Sequence, residues 1–319
     1  MRDALEQSAL FAGLNETGLA DLRAIARPFA IARGDTLFRQ GDPPTGLFVL
    51  DRGSLEIATR MPGDEDARVS RIVPGEVVGE FALLDPGPRS ARVAAVEAAA
   101  GLFLPARSFI AMLEEGRAGA VAAIDRLRTL VAQRTRATLD RLARNPHVQP
   151  SELRAPPDVF PTNLVQLEPE TLRGLPRFAN FDDGDVAAML ASGTGESPNR
   201  GARLDTDGVW LVVRGAVRSS FERSGGHEQI MVHGPGEWAG LVAAIDGGAQ
   251  PLTLSAAEDS VLLRVPGERF ARWRTDPARF AQTVMAGVDR QLVRDQRRAN
   301  RHLGRAIALE RFNARAGAA

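Results

Sequence analysis

The chain has no cysteine and no tyrosine, and each of its 40 basic residues is arginine. Without cysteine there is no disulfide framework, no thiol nucleophile and no cysteine-bound metal. The missing lysine, beside abundant alanine, reads as coding bias from a GC-rich genome rather than a chemical choice. Acidic residues also number 40, so no net charge draws the chain to nucleic acid or to a membrane. Met1-Arg2-Asp3-Ala4-Leu5-Glu6 lacks the apolar centre of a signal peptide. No apolar run approaches the ~18 residues of a membrane span. A cytoplasmic address with no membrane partner is expected. His147, His227, His233 and His302 show no metal-ligand spacing. No P-loop, Gly-x-Gly-x-x-Gly or Ser/His/Asp pattern occurs. The chain is therefore expected to be no enzyme, with no catalytic residue, metal or cofactor.

What the chain does have is length: 319 residues allow two or three domains, each with its own core. Over residues 8–27, Leu10, Phe11, Leu14, Leu19, Leu22 and Ile25 recur at helical spacing, with Asn15 or Thr17 as cap. From Ile31, short apolar runs alternate with turns at Gly34-Asp35, Gly41-Asp42-Pro43-Pro44, Asp51-Arg52-Gly53-Ser54 and Pro62-Gly63-Asp64-Glu65-Asp66. Many short strands at that spacing predict a β-roll or barrel. Helical period returns near Arg107. Residues 120–144 predict a long amphipathic helix with Val121, Ile124, Leu127, Val131, Thr138 and Leu142 along one side. Pro146, Pro150, Pro156, Pro157 and Pro161 then mark a stiff linker.

The pattern repeats. Phe178, Phe181 and Gly201 match Phe11, Leu14 and Gly34 at an offset of 167. Pro235-Gly236-Glu237, Gly240, Asp246, Glu258, Pro266 and Phe270 match Pro74-Gly75-Glu76, Gly79, Asp85, Glu97, Pro105 and Phe109 at an offset of 161. The net shortening of six falls mainly where the first copy has its Gly41-Asp42-Pro43-Pro44 turn. The expected organisation is mainly β with flanking helices: two tandem jelly-roll-like β-rolls, each followed by a helix. The first domain spans 8–144, a Pro-rich linker 145–170, the second domain 171–304 and a tail 305–319.

Between two of the first copy's predicted strands lies Gly79-Glu80-Phe81-Ala82-Leu83-Leu84-Asp85-Pro86-Gly87-Pro88-Arg89-Ser90-Ala91. A glycine followed by a short helical run leaves free amides that suit an anion. Arg89 adds a fork of donors matched to phosphate oxygens. Glu80 has acceptors only and suits a sugar hydroxyl. The stretch resembles the phosphate-binding cassette of the cyclic nucleotide-binding domain family, which includes bacterial catabolite activators and the regulatory subunits of cAMP-dependent kinase. The resemblance implies the family's eight-stranded roll and a cyclic nucleotide as ligand, cAMP first and cGMP second. It implies that Glu80 takes the ribose 2′-hydroxyl and Arg89 the cyclic phosphate. Ser90 and the amides near Ala82 and Ala91 would complete the phosphate shell, with Gly79 and Phe81 in the same cassette. Thr135, on the following helix, is the candidate to cap the base. The sequence departs from the family pattern at Leu47, Val78 and Arg92, none of which bears a phosphate or ribose contact.

The second copy keeps Gly240 but has Leu241 for Glu80, and Gln250 followed by Pro251 for Arg89. Loss of the charge-assisted contact costs roughly 1.5–3 kcal/mol. An unpaired hydroxyl against Leu241 adds about 1–3 kcal/mol. The second domain therefore reads as a non-binding copy. The leading expectation is a regulatory receptor acting on an unidentified protein effector, with helix 120–144 as lid or homodimer seam. One alternative is a scaffold using both rolls as interaction surfaces. Another is a DNA-binding regulator, disfavoured because neither roll is followed by room for a helix-turn-helix. The C-terminal helix from Phe280 carries Arg290, Arg294, Arg297, Arg298, Arg301 and Arg305, interleaved with Asp289 and Asp295, and reads as a solvated face.

Overall fold

Glycine-bearing turns that cut apolar runs into short pieces dictate small antiparallel sheets. In the computed structural model they build a β-roll in each of two units, residues 1–130 and 131–319. Residues 4–60, 66–145, 151–153, 163–223 and 226–316 are described. The first unit opens with α1 (Ala4–Gln7) and α2 (Glu16–Ile25). Asn15 caps α2, its Oδ1 accepting from Gly18 N at 2.9 Å. Eight strands follow: β1 (Arg27–Ile31), β2 (Thr36–Phe38), β3 (Gly46–Arg52), β4 (Leu55–Arg60), β5 (Asp66–Ile72), β6 (Val77–Val78), β7 (Arg92–Ala95) and β8 (Ala99–Pro105). They form two sheets, ordered β1-β8-β3-β6 and β2-β7-β4-β5. The expected tip at Pro62 to Glu65 lies outside the described residues. Leu50, Leu55, Ile72, Val78, Val93 and Ala95 fill the roll, with Phe29, Phe38 and Phe48 packed against them. A short helix, α3 (Phe81–Leu84), interrupts the sheets between β6 and β7. Two helices, α4 (Ala106–Glu114) and α5 (Ala118–Arg144), close the series.

The second unit repeats this plan. It comprises β9 (Ser151–Leu153), α6 (Pro169–Arg173), α7 (Asp183–Leu190), β10 (Thr194–Glu196), β11 (Val209–Arg214), β12 (Val217–Arg223), β13 (Gly226–His233), β14 (Trp238–Ala239), α8 (Leu241–Asp246), β15 (Thr253–Ala256), β16 (Val261–Val265), α9 (Gly267–Trp273) and α10 (Arg279–Ala316). Its sheets are ordered β10-β16-β11-β14 and β15-β12-β13-β9. The repeat reaches the backbone, because Gly34 and Gly201, Gly75 and Gly236, and Gly79 and Gly240 pair up with positive φ throughout. Five of the six missing residues fall between Gly201 and Gly208, which answer to Gly34 and Gly46. The second copy has no counterpart to β2 among its described residues beyond a single bridge, Arg203 to Ser255.

Three boundaries differ from expectation. The segment read as a linker sends β9 to the edge of β13, pairing Ser151 with His227, and Leu164 bridges to Glu196. Ser151-Glu152-Leu153 is a proline-free triplet between Pro150 and Pro156, so its amides can join an edge strand. The expected tail is helical as far as Ala316, with Ala306 buried and Ile307 packed against the same cluster. Finally, α5 spans the division between the units. Its residues Leu139 and Leu142 pack with Phe221, Met231 and Leu252 in the second unit. Val121, Ile124, Leu127, Val131 and Leu142 are all buried within the chain, so the side offered as a homodimer seam is already covered.

Arg136 fixes this half of α5. Its Nε and Nη2 donate to Asp246 Oδ2 and Oδ1 at 2.5 and 2.7 Å, and its Nη1 donates to Ala249 O at 2.6 Å. The Asp246 side chain is only 3% exposed. Removing the guanidinium by Arg136→Ala leaves that carboxylate with the Gly248 amide but no charged partner and should cost about 1.5–3 kcal/mol. Trp210, Trp238 and Trp273 all lie in the second unit, so the urea midpoint followed by tryptophan fluorescence measures this loss directly.

Candidate functional site

The site is built by three loops of the first roll that meet at Arg89. Gly79, at φ 85°, turns the chain from β6 into α3. The turn is closed by Ala82 N donating to Gly79 O at 3.0 Å and Leu83 N to Glu80 O at 3.1 Å. The Gly41-Asp42 turn clamps the backbone of Arg89: Gly41 N donates to Arg89 O and Arg89 N to Asp42 O, each at 2.9 Å. The start of β3 then receives the side chain. Arg89 Nη2 donates to Gly46 O at 2.8 Å and to Thr45 Oγ1 at 3.4 Å, while Nη1 donates to Gly79 O at 3.0 Å. Its Cζ stands 4.1 Å from the centroid of the Phe38 ring.

This guanidinium is 6% exposed, and Glu80 is 7% exposed. Burial pushes the Arg89 pKa down, while the negative fields of Glu80 and Asp42 act in the opposite direction. Its Nε is buried and has no hydrogen-bond partner. A buried donor without an acceptor costs free energy that an anion would recover. The structure thus brings Gly79, Glu80, Ala82 and Arg89 together. The Ala82 amide is engaged within the turn itself. Phe81, Ser90 and Ala91 are half-buried, with Ser90 and Ala91 leading into β7. Thr135 is fully buried, and its hydroxyl donates to Val131 O at 2.8 Å and pairs with Gln296 Oε1 inside the second unit. Phe38, Asp42, Thr45 and Gly46 escaped the sequence reading. A signal for them existed, since the turn that clamps Arg89 is the one the second copy lacks.

The family model for the cyclic nucleotide-binding domain matches residues 28–115 and 201–275, together just over half of the chain. The chain belongs to the cyclic nucleotide-binding domain family. A relative in Mycobacterium tuberculosis, a CRP-like cAMP-activated global transcriptional regulator, is 29% identical over 90 residues, which are 28% of this chain and 40% of that protein. The solved N-terminal domain of a transcriptional regulator from Streptomyces coelicolor is 34% identical, covering 44% of this chain and 96% of that one, with a TM-score of 0.38. The regulatory domain of Toxoplasma gondii PKA with cAMP is 19% identical, covering 84% of this chain and 88% of that one, with a TM-score of 0.34.

In the second cyclic nucleotide-binding domain the cassette persists as backbone only. A Cβ on Gly79 would lie 2.5 Å from Arg89 Nη1 and 3.1 Å from Gly46 O. A Cβ on Gly240 would lie 3.6 Å from Gln250 Nε2 and 3.1 Å from Gly208 O. Gln250 therefore stands where Arg89 stands, as the sequence register predicts. The hollow beside it, lined by Leu139, Met231, His233, Leu241, Gln250 and Leu252, has a volume of about 30 Å³, room for little more than a water molecule. Among the described residues no group of three or more His, Asp or Glu is placed to hold a metal. Nor is any helix there long and apolar enough to cross a membrane.

Gly34 and Gly79 separate backbone strain from contact with Arg89. Both have φ near 90°, but a Cβ at Gly34 would meet nothing within 4 Å. Gly34→Ala should cost about 1 kcal/mol from the left-handed backbone alone. Gly79→Ala should exceed that by about 1–2 kcal/mol because the guanidinium must leave its carbonyls. Paired chemical-denaturation midpoints followed by far-UV circular dichroism measure the difference.

Proposed function

We propose that the chain is a cyclic nucleotide receptor that works by regulation rather than catalysis, with its ligand in the first cassette and its response in the second unit. The unpartnered Nε of buried Arg89 carries this reading, because a cyclic phosphate supplies the missing acceptor. Glu80 takes the ribose hydroxyl, and Gly79, Phe81, Ala82, Ser90 and Ala91 shape the shell around the phosphate. The name of the Mycobacterium tuberculosis relative makes cAMP the first ligand to test, with cGMP second. The receptor acts on a protein effector from a cytoplasmic location.

The second domain serves as the responding unit. The response is an equilibrium between two arrangements of the second half of α5, which Thr135 holds to Gln296 and Arg136 to Asp246. A ligand shifts such an equilibrium only by its differential affinity for the two arrangements.

Isothermal titration of the full chain with cAMP and cGMP should show one site per chain. Arg89→Ala should weaken it by about 10–100-fold, the equivalent of one charge-assisted hydrogen bond. The absence of heat and of any thermal shift with both nucleotides would remove the proposal. Coupling has its own readout. Since no tyrosine exists and every tryptophan lies in the second unit, nucleotide bound to the first roll should change the tryptophan emission. Binding with unchanged emission would leave a receptor but refute the responding role of the second domain.

A further inference from the structure

The second unit gathers arginines around one carboxylate. Arg177 Nη2, Arg294 Nη2 and Arg298 Nη2 stand 3.4, 3.1 and 3.9 Å from the same oxygen, Glu237 Oε1. The other oxygen, Oε2, accepts from Gly234 N at 3.2 Å. Arg298 also pairs with Asp295 at 3.3 Å, whose second oxygen accepts from Gln291 Nε2 at 3.2 Å. Arg290 adds its field to that of Arg294 on Arg177, and burial together with these neighbours pushes the Arg177 pKa down. Three guanidiniums thus converge on one carboxylate oxygen, more positive charge than Glu237 balances. Arg294 Nε is buried without a hydrogen-bond partner. Its Nη2, although close to Glu237, makes no aligned hydrogen bond.

The group belongs to the second copy. Glu237 occupies the Pro-Gly-Glu turn that repeats Pro74-Gly75-Glu76, and in the first roll Glu76 is exposed. Arg177 lays its aliphatic stem against Gly236, where an added Cβ would lie 3.1 Å from Arg177 Cδ. The three side chains nearest Glu237 are 27–34% exposed, so a ligand can reach their outer atoms, while Arg294 Nε and Nη2 lie beneath the surface.

We infer that Arg177, Arg294 and Arg298, with Arg290 beside them, form a binding site for a phosphate dianion, free or carried by a phosphorylated serine or threonine of a protein partner. A phosphate monoester offsets the excess positive charge around Glu237, and guanidinium forks match its oxygens. Glu237 holds the cluster together and competes with the ligand. A carboxylate that only stabilises the fold would predict the opposite response to its removal, which makes the site testable.

The full chain is titrated with inorganic phosphate and with a phosphoserine peptide at constant ionic strength, with sodium chloride as the balancing salt and the unphosphorylated peptide as control. Saturable binding is expected. Arg177→Ala and Arg294→Ala should each weaken it at least fivefold, and Glu237→Gln should tighten it by about tenfold. A phosphopeptide that binds at least tenfold tighter than inorganic phosphate assigns the site to a phosphorylated partner, and equal affinities assign it to the free anion. Absence of saturable binding over the chloride control, or binding indifferent to Arg177→Ala, overturns the inference. Should Glu237→Gln unfold, as judged by circular dichroism, the two arginine variants still decide. Loss of this binding is independent of cyclic nucleotide binding, since none of these residues lies in the first unit.

Discussion

A buried guanidinium must be held on all sides, and the first roll is arranged to hold Arg89. Two carbonyl oxygens from separate loops, Gly46 and Gly79, take its Nη groups, and the Phe38 ring covers one side. Each support demands something of its own loop. Gly79 must lack a Cβ, because a Cβ there would lie 2.5 Å from Nη1. The Gly41-Asp42 turn must project far enough to bond both the amide and the carbonyl of Arg89. A charge supported by carbonyl dipoles at a desolvated site stays cationic while keeping a donor in reserve. The proposed phosphate site is therefore preorganised by the protein, and the ligand has only to complete it.

The second roll shows what happens when that constraint is lifted. Its projecting turn is shorter, and the arginine has become Gln250. The hollow is lined by Leu241, Leu252, Met231 and Leu139. These changes belong together physically. Without the turn there is nothing to clamp the strand entering β15, and an arginine there would be a buried charge with fewer partners, which is strongly unfavourable. Replacing the polar cradle with aliphatic side chains converts a site with a desolvation cost into ordinary core. Leu139 and Leu142 of α5 pack against this unit's core.

Much of this was legible in the sequence because its signals are local. Asn15 as a helix cap, the turn glycines, the amphipathic side of residues 120–144 and the register of the repeat all depend on neighbours a few residues apart. The Gly79–Ala91 cassette is also local and carries its chemistry in one stretch. What stayed hidden depends on distant partners. Thr45 and Gly46 meet Arg89 across more than forty residues, and a backbone carbonyl has no sequence signature. Hydrophobic periodicity along α5 announces that Leu142 is buried, but not that it is buried with Phe221 and Met231. Proline density hid β9 for a related reason, since a three-residue edge strand needs only the hydrogen bonds of its neighbour β13.

The magnitudes limit what the proposed coupling can do. A single charge-assisted contact in the first cassette is worth about 1.5–3 kcal/mol. The Arg136–Asp246 clasp on the same helix is of the same order, and allosteric coupling energies usually fall near 1–3 kcal/mol. Detaching all of α5 beyond Val131 would also expose Leu139 and Leu142, each worth about 1.5–3 kcal/mol of burial. The sum exceeds the usual range of coupling energies. The proposed coupling is therefore sized to the polar fastenings of α5, the Thr135–Gln296 pair and the Arg136 clasp, rather than to its apolar anchor. The response consistent with these energies is a local repacking along α5 that leaves its apolar anchor in place.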